Sequence, residues 1–327
     1  MVETVGPAFA DAVSGLERFV LRGGKRIRPA FAWAGWLAGG GDPESREARR
    51  ACSSLEFVQA CALIHDDIID ASHTRRGHPT THREFAALHV ENGWAGSADR
   101  FGEAVGILLG DLALAWADDM YRDAGLSHAA YARAAGAWAA MRTEVLGGQY
   151  LDIVGEASGD ESPEAAERVV RFKTAGYTVE RPLHVGAELA GADPGTVDAL
   201  RAIGVDLGIA FQLRDDLLGA FGDPAVTGKP SGDDLRSGKR TPMLADALAA
   251  GGSAAERLRG LVGTDLGDDG VLAARAALVE TGAVAHAEER IAELTRRATS
   301  AVAAAPIPDG ARTVLSGLAA VLADRRA

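Results

Sequence analysis

Between residues 45 and 70, apolar side chains at Ala51, Leu55, Val58, Ala62 and Ile69 recur at spacings of three, four and seven. That is the period of an amphipathic helix. Similar patterns return over about 102–121, 128–155, 162–190, 195–221, 240–262 and 271–304. No run alternates apolar and polar residues as a half-buried strand would. Breakers separate the periodic segments: GGGDPE at 39–44, GHP at 77–79, GADPG at 191–195, GDPAVTGKPSGDD at 222–234 and PIPDG at 306–310. The pattern predicts an all-α chain of roughly ten or more helices. With no composition shift, linker or fixed-period repeat, a single domain over residues 1–327 is expected.

Composition supports helices over sheets, because alanine is abundant while aromatic residues are only 6% of the chain. The net charge of −12 argues against a general nucleic-acid binder, which holds phosphate backbones with clustered Lys and Arg. Cys52 and Cys61 sit in a helical apolar pattern and suit buried free thiols in a reducing compartment. A cytoplasmic protein is expected. No stretch reaches the ~18 apolar residues of a membrane span, and the N-terminus lacks a basic region followed by an apolar core.

Charge is concentrated in ALIHDDIIDASHTRRG, residues 62–77. On a helix Asp66 and Asp70 lie on one face a turn apart, where like charges repel unless a cation bridges them. Mg²⁺ takes carboxylate oxygens, keeps several waters and completes its shell with phosphates. A solvated helix end with paired charges is the competing reading, and the motif alone is weak. A second acidic cluster lies in FQLRDDLLGAFGD at 211–223, where Asp215 and Asp216 are adjacent and Gly219 replaces a third carboxylate. Basic residues accompany both. GGKRIRP at 23–29 sets Lys25, Arg26 and Arg28 before a helix, where N–H groups and cations jointly hold phosphate. TGKPSGDDLRSGKRTP at 227–242 supplies Lys229 and Lys239 in a glycine-rich loop, and Lys173 with Thr174 adds a phosphate contact within a helix. For any one lysine a solvated face is the ordinary reading.

Taken together, the set resembles the trans-isoprenyl diphosphate synthase family, also called polyprenyl synthetases. The residues that carry the resemblance are GGKRIRP at 23–29, LIHDDIID at 63–70, RRGHPTTH at 75–82, GD at 110–111, GQYLD at 148–152, KT at 173–174, FQLRDD at 211–216 and GKPSGDDLRSGKRT at 228–241. They occur in the family's order.

The resemblance implies an isoprenoid synthase-type bundle of mostly antiparallel helices around a central cavity. It implies joining of an allylic diphosphate (dimethylallyl, geranyl or farnesyl) to isopentenyl diphosphate, with Mg²⁺, three ions per site, and a homodimer. By the same analogy Asp66, Asp70 and Asp215 bind metal, while Asp67 and Asp216 act through metal-bound waters. Arg75, Lys173 and Lys229 hold the allylic diphosphate, with Thr174, Gln212 and Lys239 nearby. Lys25, Arg28 and Arg76 hold isopentenyl diphosphate. Gln59 stands where many members carry a histidine contacting that substrate, and Gly219 departs from the second acidic motif. Only 22 residues precede GGKR, implying a short or missing first helix.

Residues four and five before Asp66 lie about 5.4 Å deeper along the helix. They are Ala62 and Cys61, both small, where members that stop at farnesyl diphosphate often carry an aromatic. One turn further down are Val58 and Phe57. Phe57 is a candidate floor for the growing tail, as is Trp116, against the plain reading of core aromatics. Geranylgeranyl diphosphate is the product expected, with a shorter or longer prenyl diphosphate as alternatives. A prenyl-diphosphate cyclase has no need for Lys25, Arg28 and Arg76. A non-catalytic partner subunit usually loses an aspartate motif, whereas the first one here is complete.

Overall fold

A computed structural model describes residues 2–222, 232–264 and 266–323. Backbone proximity divides the chain into two compact units, Met1–Pro29 with Ser45–Ser127 and Ala30–Glu44 with His128–Ala327. The all-α expectation holds.

The first unit contains α1 (Val2–Val5), α2 (Pro7–Leu21), the first residues of α3 (Ile27–Ala38), α4 (Arg46–Ser53), α5 (Leu55–Ile69), α6 (Thr81–Glu91) and α7 (Ala98–Arg122). The 22 residues before GGKR thus supply a four-residue and a fifteen-residue helix. The periodic segment 45–70 is two helices and not one. The Ser54 hydroxyl turns back to donate to the Ala51 carbonyl at 2.6 Å, offering the backbone a local partner at the break. Leu16, Ala60, Cys61, Ile64, Phe85, Leu109 and Ala113 pack as the core on which α5 rests. Gly110 of α7 permits that contact: a Cβ there would lie 2.1 Å from His65 Nε2.

Between α5 and α6 the chain forms a strand pair that periodicity did not reveal, Thr74–Arg75 against His78–Pro79. Two residues per strand are too few to show alternation. Arg76 and Gly77 at the turn have φ of 53° and 75°, the paired positive values of a tight two-residue hairpin.

The second unit comprises most of α3 and then α8 (His128–Ser158), α9 (Pro163–Val169), a π-helix (Val170–Glu180), α10 (Arg181–Ala190), α11 (Pro194–Phe221), α12 (Asp233–Arg236), α13 (Pro242–Ala249), α14 (Gly252–Leu261), α15 (Asp268–Glu280), α16 (Ala283–Ala304) and α17 (Asp309–Ala323). The GADPG breaker starts α11: the Asp193 side chain accepts from Thr196 N at 3.1 Å, and Pro194 opens the first turn. The periodic segments 240–262 and 271–304 each split in two, at Ala250–Gly251 and Thr281–Gly282, where Gly251 and Gly282 take φ of 70° and 81°. Leu213 and Leu217 of α11 share a core with Met243, Leu244, Leu258, Leu278 and Ile291.

Residues 162–190 are helical as the period suggests, but the central part winds as a π-helix. Pro182 has no N–H to donate, and its ring crowds the carbonyl of residue 178, which favours wider winding just before it. The π-helix lies backbone-close to its neighbours. A Cβ on Gly148 of α8 would be 2.2 Å from Lys173 N, and one on Gly208 of α11 would be 2.7 Å from Ala175 Cα.

Candidate functional site

In the first unit, α5 ends on the acidic motif. Asp66 is partly buried, Asp67 fully buried, and Asp70 exposed as the C-cap. The hairpin turns Arg75 back onto them. Its Nε donates to Asp67 Oδ1 at 2.7 Å and its Nη2 to Asp66 Oδ2 at 3.3 Å. Burial would weaken the guanidinium's charge, but Asp67, Asp66 and Asp70 outweigh it and hold its pKa above the usual arginine value. Breaking such a buried pair costs about 3–5 kcal/mol, because the remaining charge is left uncompensated.

On the other side of the turn, Arg76 lines a small pocket with Phe19, Val20, Arg26, Glu56, Gln59, Ala60 and Leu63. Burial, and then the charge of Arg75, depress the pKa of Arg76 below the ordinary arginine value, as expected of a cation short of counter-charge. Arg26 pairs with Glu56 and donates to the Val20 carbonyl at 2.7 Å. It therefore holds the carboxyl end of α2 and positions the GGKRIRP segment. Lys25 is exposed and Arg28 partly buried at the start of α3. Cys61 is buried in the core, where burial foremost and Asp111 second push its thiol up to about 11. Phe57 stands edge-on to Trp116 with ring centroids 6.2 Å apart, while Ala62 is partly buried.

In the second unit α8, the π-helix and α11 assemble an acid-and-base constellation. Lys173 Nζ donates to Asp152 Oδ2 at 2.5 Å, and Thr174 beside it is partly buried. On α11, Asp215 is exposed, whereas Asp216 is 2% exposed. Gln212 Nε2 donates to Asp216 Oδ1 at 2.7 Å. Among the described residues Asp216 Oδ2 has no hydrogen-bond partner. Burial pushes the Asp216 carboxyl up to about 7 despite the pull of Lys239. Burial disfavours charge on Lys239 too, but Asp234, Asp216, Asp152 and Asp215 together hold its pKa above the usual lysine value.

The structure thus groups Asp66, Asp67, Asp70 and Arg75 at the end of α5, Gln59 with Arg76 in one pocket, and Lys173, Gln212, Asp215, Asp216 and Lys239 in one constellation. Lys229 lies outside the described residues. Five further residues take defined places: His65 packed on α7, Arg26 with Glu56, Asp152 and Asp234. Asp152 stands in the GQYLD motif and so had a signal in the sequence. Arg26 and Asp234 lie in the GGKRIRP and GKPSGDDLRSGKRT motifs, but their partners in the fold could not be read from them. Among the described residues no group of three Asp, Glu, His or Cys side chains is placed to hold a metal by itself. Oxygen-only donors with a buried, unsatisfied carboxylate oxygen nearby suit a hard divalent cation that completes its shell with phosphate and water.

Helices carrying two aspartate motifs, each served by cations, define an isoprenoid synthase-type protein. Residues 13–279 match the family model described as Polyprenyl synthetase. A geranylgeranyl pyrophosphate synthase from Corynebacterium glutamicum, solved in complex with isoprenyl diphosphate and magnesium, shares 50% identity and a TM-score of 0.95 over 99% of this chain and 93% of that one. The geranylfarnesyl diphosphate synthase of Aeropyrum pernix is 34% identical over 91% of this chain and 89% of its own length. The (2E,6E)-farnesyl diphosphate synthase of Mycobacterium bovis is 36% identical over 93% and 80%. The chain belongs to the polyprenyl synthetase family and is a trans-prenyltransferase.

Proposed function

We propose that this protein condenses isopentenyl diphosphate with an allylic diphosphate, with Mg²⁺, and releases geranylgeranyl diphosphate as its main product. The observation that carries the reading is the division of the adjacent arginines by the hairpin. Arg75 turns to the aspartates of α5, and Arg76 turns to the pocket of Gln59.

In this reading Asp66, Asp70 and Asp215 hold Mg²⁺, three ions per site. Bound Mg²⁺ supplies neutralisation of the negative charge that gathers on the departing diphosphate. Arg75, Lys173 and Lys229, with Thr174, Gln212 and Lys239, orient the allylic diphosphate so that its C–O bond breaks and an allylic cation forms. Asp67 keeps Arg75 aimed and charged. Lys25, Arg28, Arg76 and Gln59 hold isopentenyl diphosphate so that its double bond attacks the cation. No side chain of either constellation is an obvious base for the proton then lost, and the released diphosphate is the acceptor. The small Ala62, one turn below Asp66, leaves the tail room to lengthen. The active form is a cytoplasmic homodimer of single-domain chains. Gln59, an amide in place of histidine, donates to the second substrate without charge.

Incubation with Mg²⁺, isopentenyl diphosphate and each allylic starter, followed by chromatography, is expected to give a geranylgeranyl product. Absence of elongation with every starter would sink the assignment. A farnesyl product would correct its length alone.

A further inference from the structure

The π-helix runs for 11 residues, Val170–Glu180, whereas π winding is ordinarily confined to single turns. Pro182 bears only on the turn just before it, so the upstream residues need a cause of their own. Arg171 supplies one. Its Nη2 lies 2.6 Å from Glu180 Oε2, nine residues on. At 3.6 residues per turn, nine residues make about two and a half turns, and the two side chains would leave opposite sides of the helix. With bonds between residues five apart the turn widens to roughly 4.4 residues, so positions five and nine on fall about one and two turns away, in a single column. The Arg181 amide donates to the Gly176 carbonyl, five residues back, in that register. Gly176 is also the middle of the column: a Cβ there would lie 3.2 Å from Arg171 Nη1 and 3.3 Å from Glu144 Oε2. The guanidinium therefore passes over a residue without a side chain to reach the carboxylate.

The far end of the column is held from two sides. Glu180 is 1% exposed and accepts from Arg201 Nε of α11 at 3.1 Å, and a Cβ on Gly204 of α11 would lie 2.5 Å from Glu180 Cα. Next in the chain, Arg181 Nε donates to Glu144 Oε2 of α8 at 2.8 Å.

We propose that the Arg171–Glu180 pair, laid along Gly176, selects π over α winding and thereby sets where Lys173 points. Arg171 and Glu180 are positioning residues. Counted back from the held end at Glu180, rewinding as an α-helix would swing residue 173 by about a third of a turn. Lys173 Nζ would then leave Asp152 Oδ2, to which it donates at 2.5 Å. The proposal rests on the synthase reading for what Lys173 holds, while the winding is independent of that reading.

Arg171→Met and Arg201→Met each take one cation from Glu180, but of the two only Arg171 spans the π segment. Both should melt below the parent. In crystals of Arg171→Met the segment is expected to bond four residues back, with Arg181 N on the Tyr177 carbonyl, whereas Arg201→Met keeps Arg181 N on that of Gly176. Arg171→Met should also lose about 10- to 100-fold in kcat/KM for the allylic substrate, as misplacement of a binding group does, with the KM for isopentenyl diphosphate within about twofold of the parent. Gly176→Ala is the milder variant: its methyl group would press on the guanidinium, alanine favours α winding over glycine, and rewinding is again expected. π winding retained in Arg171→Met overturns the proposal, as does its retention in Gly176→Ala should Arg171→Met not fold. Equal rewinding in Arg201→Met overturns it too. A parent that elongates no substrate defeats the functional reading, while the hydrogen-bond register in the variant crystals still decides this one.

Discussion

At the scale of single residues, α5 carries two columns of side chains below its acidic end. Asp66, Ala62 and Val58 follow one another along one side, and Cys61 and Phe57 along another, with Phe57 against Trp116. Ala62→Phe fills the first column and is expected to shorten the main product, with little change in its rate of formation. Phe57→Ala opens the second and should lengthen the product, at a stability cost of about 3 kcal/mol for a truncated core aromatic. Product chromatography with denaturant unfolding checks both. An unchanged product from Phe57→Ala would leave that ring a core residue and nothing more. The acidic end was legible through the basic motifs that accompany it in the sequence, since carboxylates four apart on a helix also suit a solvated helix end. The pairing of Arg26 was not, since its partners Glu56 and the Val20 carbonyl are joined to it only by folding.

At the scale of elements, the π-helix sets the position of Lys173. Its backbone is close enough to α8 that Gly148→Ala would push a methyl group onto Lys173 N, and backbone cannot move aside as a side-chain tip can. A loss of about 1–3 kcal/mol is expected, with the allylic KM rising more than the KM for isopentenyl diphosphate. The neighbouring Gly147→Ala meets nothing within 4 Å among the described residues. It should be neutral or stabilise by up to about 1 kcal/mol through helix propensity. Equal effects at both positions would show that the contact does not position Lys173. The helical period over 162–190 was plain in the sequence, but its winding was not. Winding depends on Pro182 and on glycines of other helices, which a local pattern does not contain. The breaks at Ser54, Ala250–Gly251 and Thr281–Gly282 escaped for a related reason: each interrupts a helix for so few residues that the apolar spacing runs through it.

At the scale of the whole molecule, acid stability depends in part on a buried charge network in the second unit. Arg181 binds Glu144 through Nε at 2.8 Å and through Nη2 at 2.5 Å, and it donates from Nη1 to His184 Nδ1 at 3.0 Å. Glu180, 1% exposed, takes Arg171 at 2.6 Å and Arg201 at 3.1 Å. Burial first, then the cations Arg181 and Arg201, push His184 down to about 4. The folded protein therefore keeps this ring neutral, while the unfolded chain takes up its proton below about pH 6.5. The contribution to stability is complete above that pH and is lost as pH falls toward 4. It amounts to about 1–2 kcal/mol after allowance for solvent screening. His184→Gln should lose less stability than the parent between pH 7 and pH 4.5 in urea unfolding. Equal losses would place the pH dependence elsewhere. The contact between Gly219 and Asp234 also bears on how this chain can be recombined. A Cβ on Gly219 would lie 2.0 Å from Asp234 Oδ2, so in a chimera that brings a larger side chain to position 219, a crossover between residues 219 and 234 joins a helix and a following turn that do not fit together.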